Sequence, residues 1–271
     1  MPVSDDAFHG GKLRILQPRQ GYRAGLDAVM LAAAVAEVQG RSWSLLDAGA
    51  GVGTAGLCVA QRCPEARVVL IEQEQALVEL ARENIARNGL GERVSVVQGD
   101  LTHVTRAELG ALGVREGSFD RVIANPPYHV EGAGTRAEHA LRAAAHAMPP
   151  AGLAAWCRFL ARMARAGGEA VIIHKTAALP ELLGALAGRF GALSALPLAS
   201  RAGEAAGRIL LRGVKGSRAP FRLEAGLALH EPDGRFTSGA EGVLRLGQSL
   251  EVAYGLSSPT LHMRGEKGER M

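Results

Sequence analysis

The stretch WSLLDAGAGVGTAGLCVAQRC (43–63) decides the architecture of the chain. WSLLDA (43–48) reads as a strand, and TAGLCVAQRC (54–63) reads as a helix stopped by Pro64. Between them, DAGAGVGTAG (47–56) places Gly49, Gly51 and Gly53 where the backbone leaves the strand and opens the helix. Glycines at such a point let the chain turn tightly and approach a ligand closely. The spacing is GxGxG and not the GxGxxG of a dinucleotide site, Asp47 sits two positions before the first glycine, and no GxxxxGK[ST] loop occurs here. On its own, a loop of this kind could be only a tight turn.

Outward from this segment, strand-like and helical runs alternate. ARVVLIE (66–72) is a strand, and QALVELARENIARNGL (75–90) is a helix with Leu77, Leu80, Ala81 and Ile85 on one face and Gly89 at its end. RVSVVQGD (93–100), FDRVIAN (119–125) and EAVIIHK (169–175) continue the strands, with helical patterns at 137–147, 153–166 and 179–190. RILLRGV (208–214) and FRLEAGLALH (221–230) suit an antiparallel hairpin. The expectation is an α/β fold: a doubly wound, mostly parallel sheet covered on both faces, with the antiparallel hairpin at or near its edge. It predicts a domain over 41–232, an N-terminal segment 1–40, and a C-terminal extension 233–271 that is partly disordered from about 257.

Composition limits the function classes. The 271 residues are 47% hydrophobic and carry a formal net charge of +4, as expected of a globular chain. Apolar runs are broken well short of the roughly 20 residues needed to span a bilayer. The acidic start MPVSDD is unlike a signal peptide, so a cytoplasmic location is expected. Three cysteines without CxxC spacing and eight histidines without HExxH suggest neither a disulfide framework nor a metal site. The positive excess is local: six cations lie between Arg201 and Arg222 against Glu204 alone. Arg208, Arg212, Lys215, Arg218 and Arg222 surround the turn RGVKGSRAPFR, where cations can meet nucleic-acid phosphates.

Acids close the next two strands, Glu72 after ARVVLIE and Asp100 after RVSVVQGD. In an open parallel sheet the carboxyl ends of strands line the ligand crevice, so Asp47, the glycine loop, Glu72 and Asp100 should converge. Glu72 can accept hydrogen bonds from both hydroxyls of a ribose. Three carboxylates repel a pyrophosphate and favour a ligand carrying a ribose and a positive group. The fourth strand ends in Asn125-Pro126-Pro127-Tyr128. Two prolines end the ladder and hold their neighbours rigidly. The Asn125 side-chain carbonyl and the Pro126 backbone carbonyl can accept both hydrogens of a planar NH2 group, and Tyr128 can stack on its ring.

These residues resemble the class I S-adenosylmethionine-dependent methyltransferases, specifically the amino-methylating branch with an (N/D)PP(Y/F) motif. The resemblance implies a seven-stranded Rossmann-like sheet whose last strand is antiparallel, and S-adenosylmethionine as cofactor. It implies that Asp47, Gly49 and Gly51 surround the methionine part, Glu72 the ribose and Asp100 the adenine, with Ala48, Gln73 and Leu101 also binding the cofactor. Asn125, Pro126, Pro127 and Tyr128 would hold the acceptor amine, with Asn125 also beside the cofactor. Upstream, QPRQGYRAGLDAVMLAA (17–33) is similar to the segment that packs over the cofactor in bacterial tRNA adenine N6-methyltransferases acting on adenosine 37 of a valine tRNA. That likeness implies contacts from Tyr22, Arg23 and Asp27, and tRNA as partner. Two other readings stand beside it: N5 methylation of a release-factor glutamine, whose amide presents the same planar NH2, and a non-catalytic RNA-binding module that keeps the fold.

Overall fold

The computed structural model describes residues 2–20, 23–130, 147–148 and 152–256, with side chains outside 129–130 and 147–148. The expected helix at 137–147, the tail from 257 and Tyr22 lie outside the described residues, save for the backbone of Ala147. The chain opens with an antiparallel hairpin, β1 (Val3–Phe8) and β2 (Leu13–Pro18), and a helix, α1 (Leu26–Ala33). An alternating series follows: β3 (Trp43–Ala48), α2 (Thr54–Arg62), β4 (Ala66–Glu72), α3 (Gln75–Arg87), β5 (Val94–Gln98), α4 (Arg106–Ala111) and β6 (Phe119–Ala124). The two-residue strands β7 (His129–Val130) and β8 (Ala147–Met148) pair with each other. Then come α5 (Gly152–Met163), β9 (Ala164–Lys175), α6 (Leu179–Leu186), β10 (Phe190–Arg201) and β11 (Ala206–Lys215). The described chain ends with β12 (Arg222–Leu223), β13 (Leu227–His230), α7 (Ser238–Leu246) and α8 (Leu250–Tyr254).

The main sheet runs β12-β10-β11-β9-β6-β3-β4-β5, with β13 also on β10. β3, β4, β5, β6 and β9 are mutually parallel, and β11 lies antiparallel between β9 and β10. The seven long strands thus form the expected doubly wound sheet. Successive side chains of a strand face opposite sides, and here both sides are core. Leu45, Leu70, Ile123 and Ile173 pack on the face covered by α1, α2 and α3; Leu46, Ile71, Val122 and Ile172 pack on the other with Leu153, Phe159 and Leu182. That is why these strands read as continuous apolar runs.

Three expectations change. The antiparallel hairpin is β10–β11, not 208–214 with 221–230; the latter segment supplies β12 and β13, both parallel to β10. β10 itself, FGALSALPLASR, lacks a strand signature because of its small residues and Pro197. Pro197 is tolerated because it falls in the gap between β12, paired at Ser194 and Ala195, and β13, paired from Leu198. Second, the N-terminal segment holds a strand hairpin as well as a helix, and α3 grips it. The buried Asn84 accepts from the Leu16 N–H (2.7 Å) and donates to the carbonyls of Leu16 (3.0 Å) and Val52 (3.1 Å). Third, packing does not end at 232, because Ala240, Val243 and Leu250 join the core cluster of Leu13, Ile15 and Met30.

Candidate active site

The strand order reverses between β3 and β6, which creates a crevice at their carboxyl ends. Ala48 and Ala124 are register partners there, so the glycine loop and the Asn125–Tyr128 tetrapeptide leave the sheet side by side. Gly49, Gly51 and Gly53 all have positive φ, at 65°, 58° and 89°. At Gly49 a side chain is also excluded by space, since a Cβ would run into the Trp156 indole from α5. Trp156 carries no sequence signal for this role. It meets the loop only through the fold.

The acids form one edge of the crevice. Asp47 is 2% exposed and its Oδ2 accepts the Gly56 N–H at 2.9 Å. Burial pushes its carboxyl up to about 7, and the charge of Glu72 pushes the same way against the Gly56 hydrogen bond. Glu72 is also raised by burial, although it accepts from the N–H groups of Gly51 (2.8 Å), Gln73 (2.8 Å) and Glu74 (3.0 Å). A carboxylate has about four acceptor positions. Three backbone donors leave one for a ligand hydroxyl, and two buried acids gain from a nearby positive group. The residues therefore fit S-adenosylmethionine, which carries both.

Asp100 is tied to this edge because the Gly99 N–H donates to the Glu72 carbonyl at 2.9 Å. Its carboxylate accepts from the Thr102 N–H (2.8 Å) and hydroxyl (2.6 Å), and its other oxygen lies 2.8 Å from His103 Nδ1. Burial raises this carboxyl, but Thr102 and His103 outweigh it and the net shift is downward. Ala48 and Leu101 are buried neighbours, and the Gln73 side chain is exposed.

Across the crevice stands the Asn125–Tyr128 tetrapeptide. The Tyr128 hydroxyl lies 2.6 Å from Asp27 Oδ2 and 2.8 Å from Asn125 Oδ1. It has one proton, so it donates to one of them at a time. Asp27 also accepts from Arg208 Nε at 2.9 Å. The Arg208 guanidinium lies 4.9 Å from the centroid of the Tyr128 ring, and His174 meets that ring edge-on at 4.8 Å. His174 is 4% exposed, and burial keeps its imidazole below its usual pKa and hence neutral at pH 7. Sequence reasoning missed His174; an apolar strand gives no sign of which single polar residue meets a loop.

The remaining candidates are placed differently from one another. Arg23 turns away to the hairpin, where it donates to Asp6 (2.6 Å), Ser4 (2.8 Å) and the Pro18 carbonyl (3.2 Å). Of the five basic residues expected near phosphates, Arg218 and Arg222 are exposed, the latter 3.6 Å from Glu224. Arg212 is 8% exposed and lies 3.9 Å from Glu251, and Lys215 donates to the Ala164 carbonyl at 2.6 Å. Arg208 faces the tetrapeptide.

The family model of the methyltransferase small domain matches residues 27–155. A tRNA1(Val) (adenine(37)-N6)-methyltransferase from Bacteroides thetaiotaomicron is 36% identical over 130 residues, which is 48% of this chain and 50% of that protein. One of the same name from Aeromonas hydrophila is 28% identical over 223 residues, 81% of this chain and 87% of the relative. A release factor glutamine methyltransferase from Mycolicibacterium smegmatis is 36% identical over 146 residues, 52% and 49% of the two chains. The chain thus spans about half the length of the first and last of these relatives. Among solved structures, a predicted O-methyltransferase from Agrobacterium tumefaciens superposes with a TM-score of 0.68 at 29% identity, covering 82% of this chain and 97% of that one. The small-domain match lies over both the glycine loop and the Asn125–Tyr128 tetrapeptide, so residues 27–155 carry a methyltransferase small domain.

Proposed function

We propose that this protein transfers a methyl group from S-adenosylmethionine to the exocyclic N6 of an adenine in tRNA, at adenosine 37 of the anticodon loop. The observation that carries the reading is the juxtaposition of the Asn125–Tyr128 tetrapeptide with the glycine loop at the switch point of the sheet. S-adenosylmethionine, when bound, supplies an electrophilic methyl on a sulfonium. Asp47 and Glu72 hold the cationic and ribose parts on one side. On the other, Asn125 Oδ1 and the Pro126 carbonyl accept the two amine hydrogens and draw the nitrogen lone pair out of the ring. Alignment supplies most of the rate, as expected when two reactants are held in attack geometry. No strong base is required, because the amine proton becomes acidic only as the new bond forms. The target base must leave its stack, which costs a few kcal/mol and is easier in a loop than in a helix. The upstream segment at 17–33 and the exposed Arg218 and Arg222 support an RNA acceptor over a protein one.

Asn125→Ala tests the reading. It should leave the affinity for S-adenosylmethionine nearly unchanged and lower turnover by about 10²-fold or more, the scale of losing an aligned polar contact to the reacting group. Wild-type turnover in that variant would sink the assignment. The relative from Mycolicibacterium favours glutamine in a release factor as the second reading. Incubation with labelled S-adenosylmethionine, cellular RNA and cellular protein separates them: label in N6-methyladenosine of tRNA supports the first, and label in protein supports the second.

A further inference from the structure

Two cations stand beside the acceptor motif, on the opposite side from the carboxylates that fit the cofactor. Lys175 ends β9 and Arg208 lies in β11, and the sheet register sets them directly opposite each other. Lys175 Nζ is 5.5 Å and the Arg208 guanidinium carbon 4.9 Å from the centroid of the Tyr128 ring. Among the described residues, Asp27 compensates one of these charges, through Arg208 Nε at 2.9 Å. The next carboxylate that acts on His174, Glu181, sits against Gly152 at the start of α5. His174 is neutral and adds no charge. Among the described residues, the rim of the acceptor site therefore carries a positive excess, although the group to be methylated there is uncharged.

A neutral amide or base gains little from such a pair. A nucleotide brings a phosphate on the same unit as its base, and phosphate is the group that a paired lysine and arginine recognise. We propose that Lys175 and Arg208 form an anion subsite that grips the phosphate adjoining the target nucleoside while its base lies between Asn125 and Tyr128. Arg208 carries a second duty in this arrangement, since its bond to Asp27 fixes the carboxylate that holds the Tyr128 hydroxyl. Lys175 has no such partner among the described contacts to the tetrapeptide beyond the ring itself, and so reports on the phosphate more directly.

This inference rests on the tRNA reading above, and the two fail differently. The full 271-residue chain is assayed with labelled S-adenosylmethionine and transcribed tRNA over a range of KCl concentrations, as wild type, Lys175→Gln and Lys175→Arg. Loss of one phosphate contact should raise KM for tRNA about tenfold and reduce the slope of log affinity against log salt by about 0.7–0.9. S-adenosylmethionine affinity by calorimetry should stay unchanged in Lys175→Gln, and Lys175→Arg should restore both KM and slope. A Lys175→Gln protein with wild-type KM and slope overturns the subsite while leaving the tRNA reading intact. Equal loss of cofactor affinity marks a structural lysine and overturns it as well. Absence of any methyl transfer to tRNA by the wild type removes both.

Discussion

Asp47 shows what burial of an acid in this crevice does to the free protein. Its carboxyl is pushed up to about 7 by burial, with Glu72 adding to the effect, whereas in the unfolded chain it titrates near 3.8. The folded state therefore binds more protons than the unfolded state between those values. Its stabilising contribution is complete below about pH 4 and is lost as pH rises through 7, amounting to about 4 kcal/mol at ~1.4 kcal/mol per unit. Asp47→Asn keeps an acceptor for the Gly56 N–H and removes the titration. Urea unfolding at pH 5 and pH 8 should show wild-type stability falling more steeply than that of the variant; parallel profiles would refute this. Asp47 was legible in the sequence because it precedes the glycine loop, and Glu72 and Asp100 because each follows an apolar strand run. The contact of Asp27 with Arg208 was not, since 181 residues separate them and neither neighbourhood mentions the other.

At the scale of elements, α3 connects the N-terminal hairpin to the glycine loop. The Asn84 amide satisfies both backbone groups of Leu16 and the carbonyl of Val52, all through one side chain that is fully buried. Asn84→Ala strands three polar groups and should cost about 2–4 kcal/mol in urea unfolding. Because Val52 belongs to the glycine loop, the variant should also bind S-adenosylmethionine more weakly. A variant with native stability and native affinity would show that water replaces the amide at no cost. The parallel strands were readable because both faces are buried and their apolar runs are unbroken. β10 was not, because its alanines, glycine and Pro197 look like a loop until β11, β12 and β13 pair around it. The hairpin β1–β2 was hidden by its polar first strand, VSDDAF, half of whose residues face solvent or ion pairs such as Asp5 with Arg14 and Arg87.

On the scale of the whole molecule, the two ends of the described chain interlock. The turn after β1 buries His9, whose Nδ1 lies 3.1 Å from Gln61 Oε1, and the same ring rests on Gly247 at the end of α7. Gly247 has φ +71°, the left-handed region that ends a helix, and a Cβ there would lie 2.8 Å from His9 Nδ1. Both conditions select glycine. Gly247→Ala should therefore cost about 1–3 kcal/mol, from strain at positive φ together with displacement of His9. The consequence extends to the site: α7 and α8 pack through Ala240, Val243 and Leu250 on the cluster that holds β2 and α1, and α1 carries Asp27. Hydrogen exchange should report faster opening in 3–18 and 238–254 together, with β3, β4 and β6 still protected, and turnover should fall through the loss of the Asp27–Tyr128 contact. Opening confined to 238–254, with turnover unchanged, would show that the terminal helices are a separate layer and not part of the frame that positions the Asn125–Tyr128 tetrapeptide.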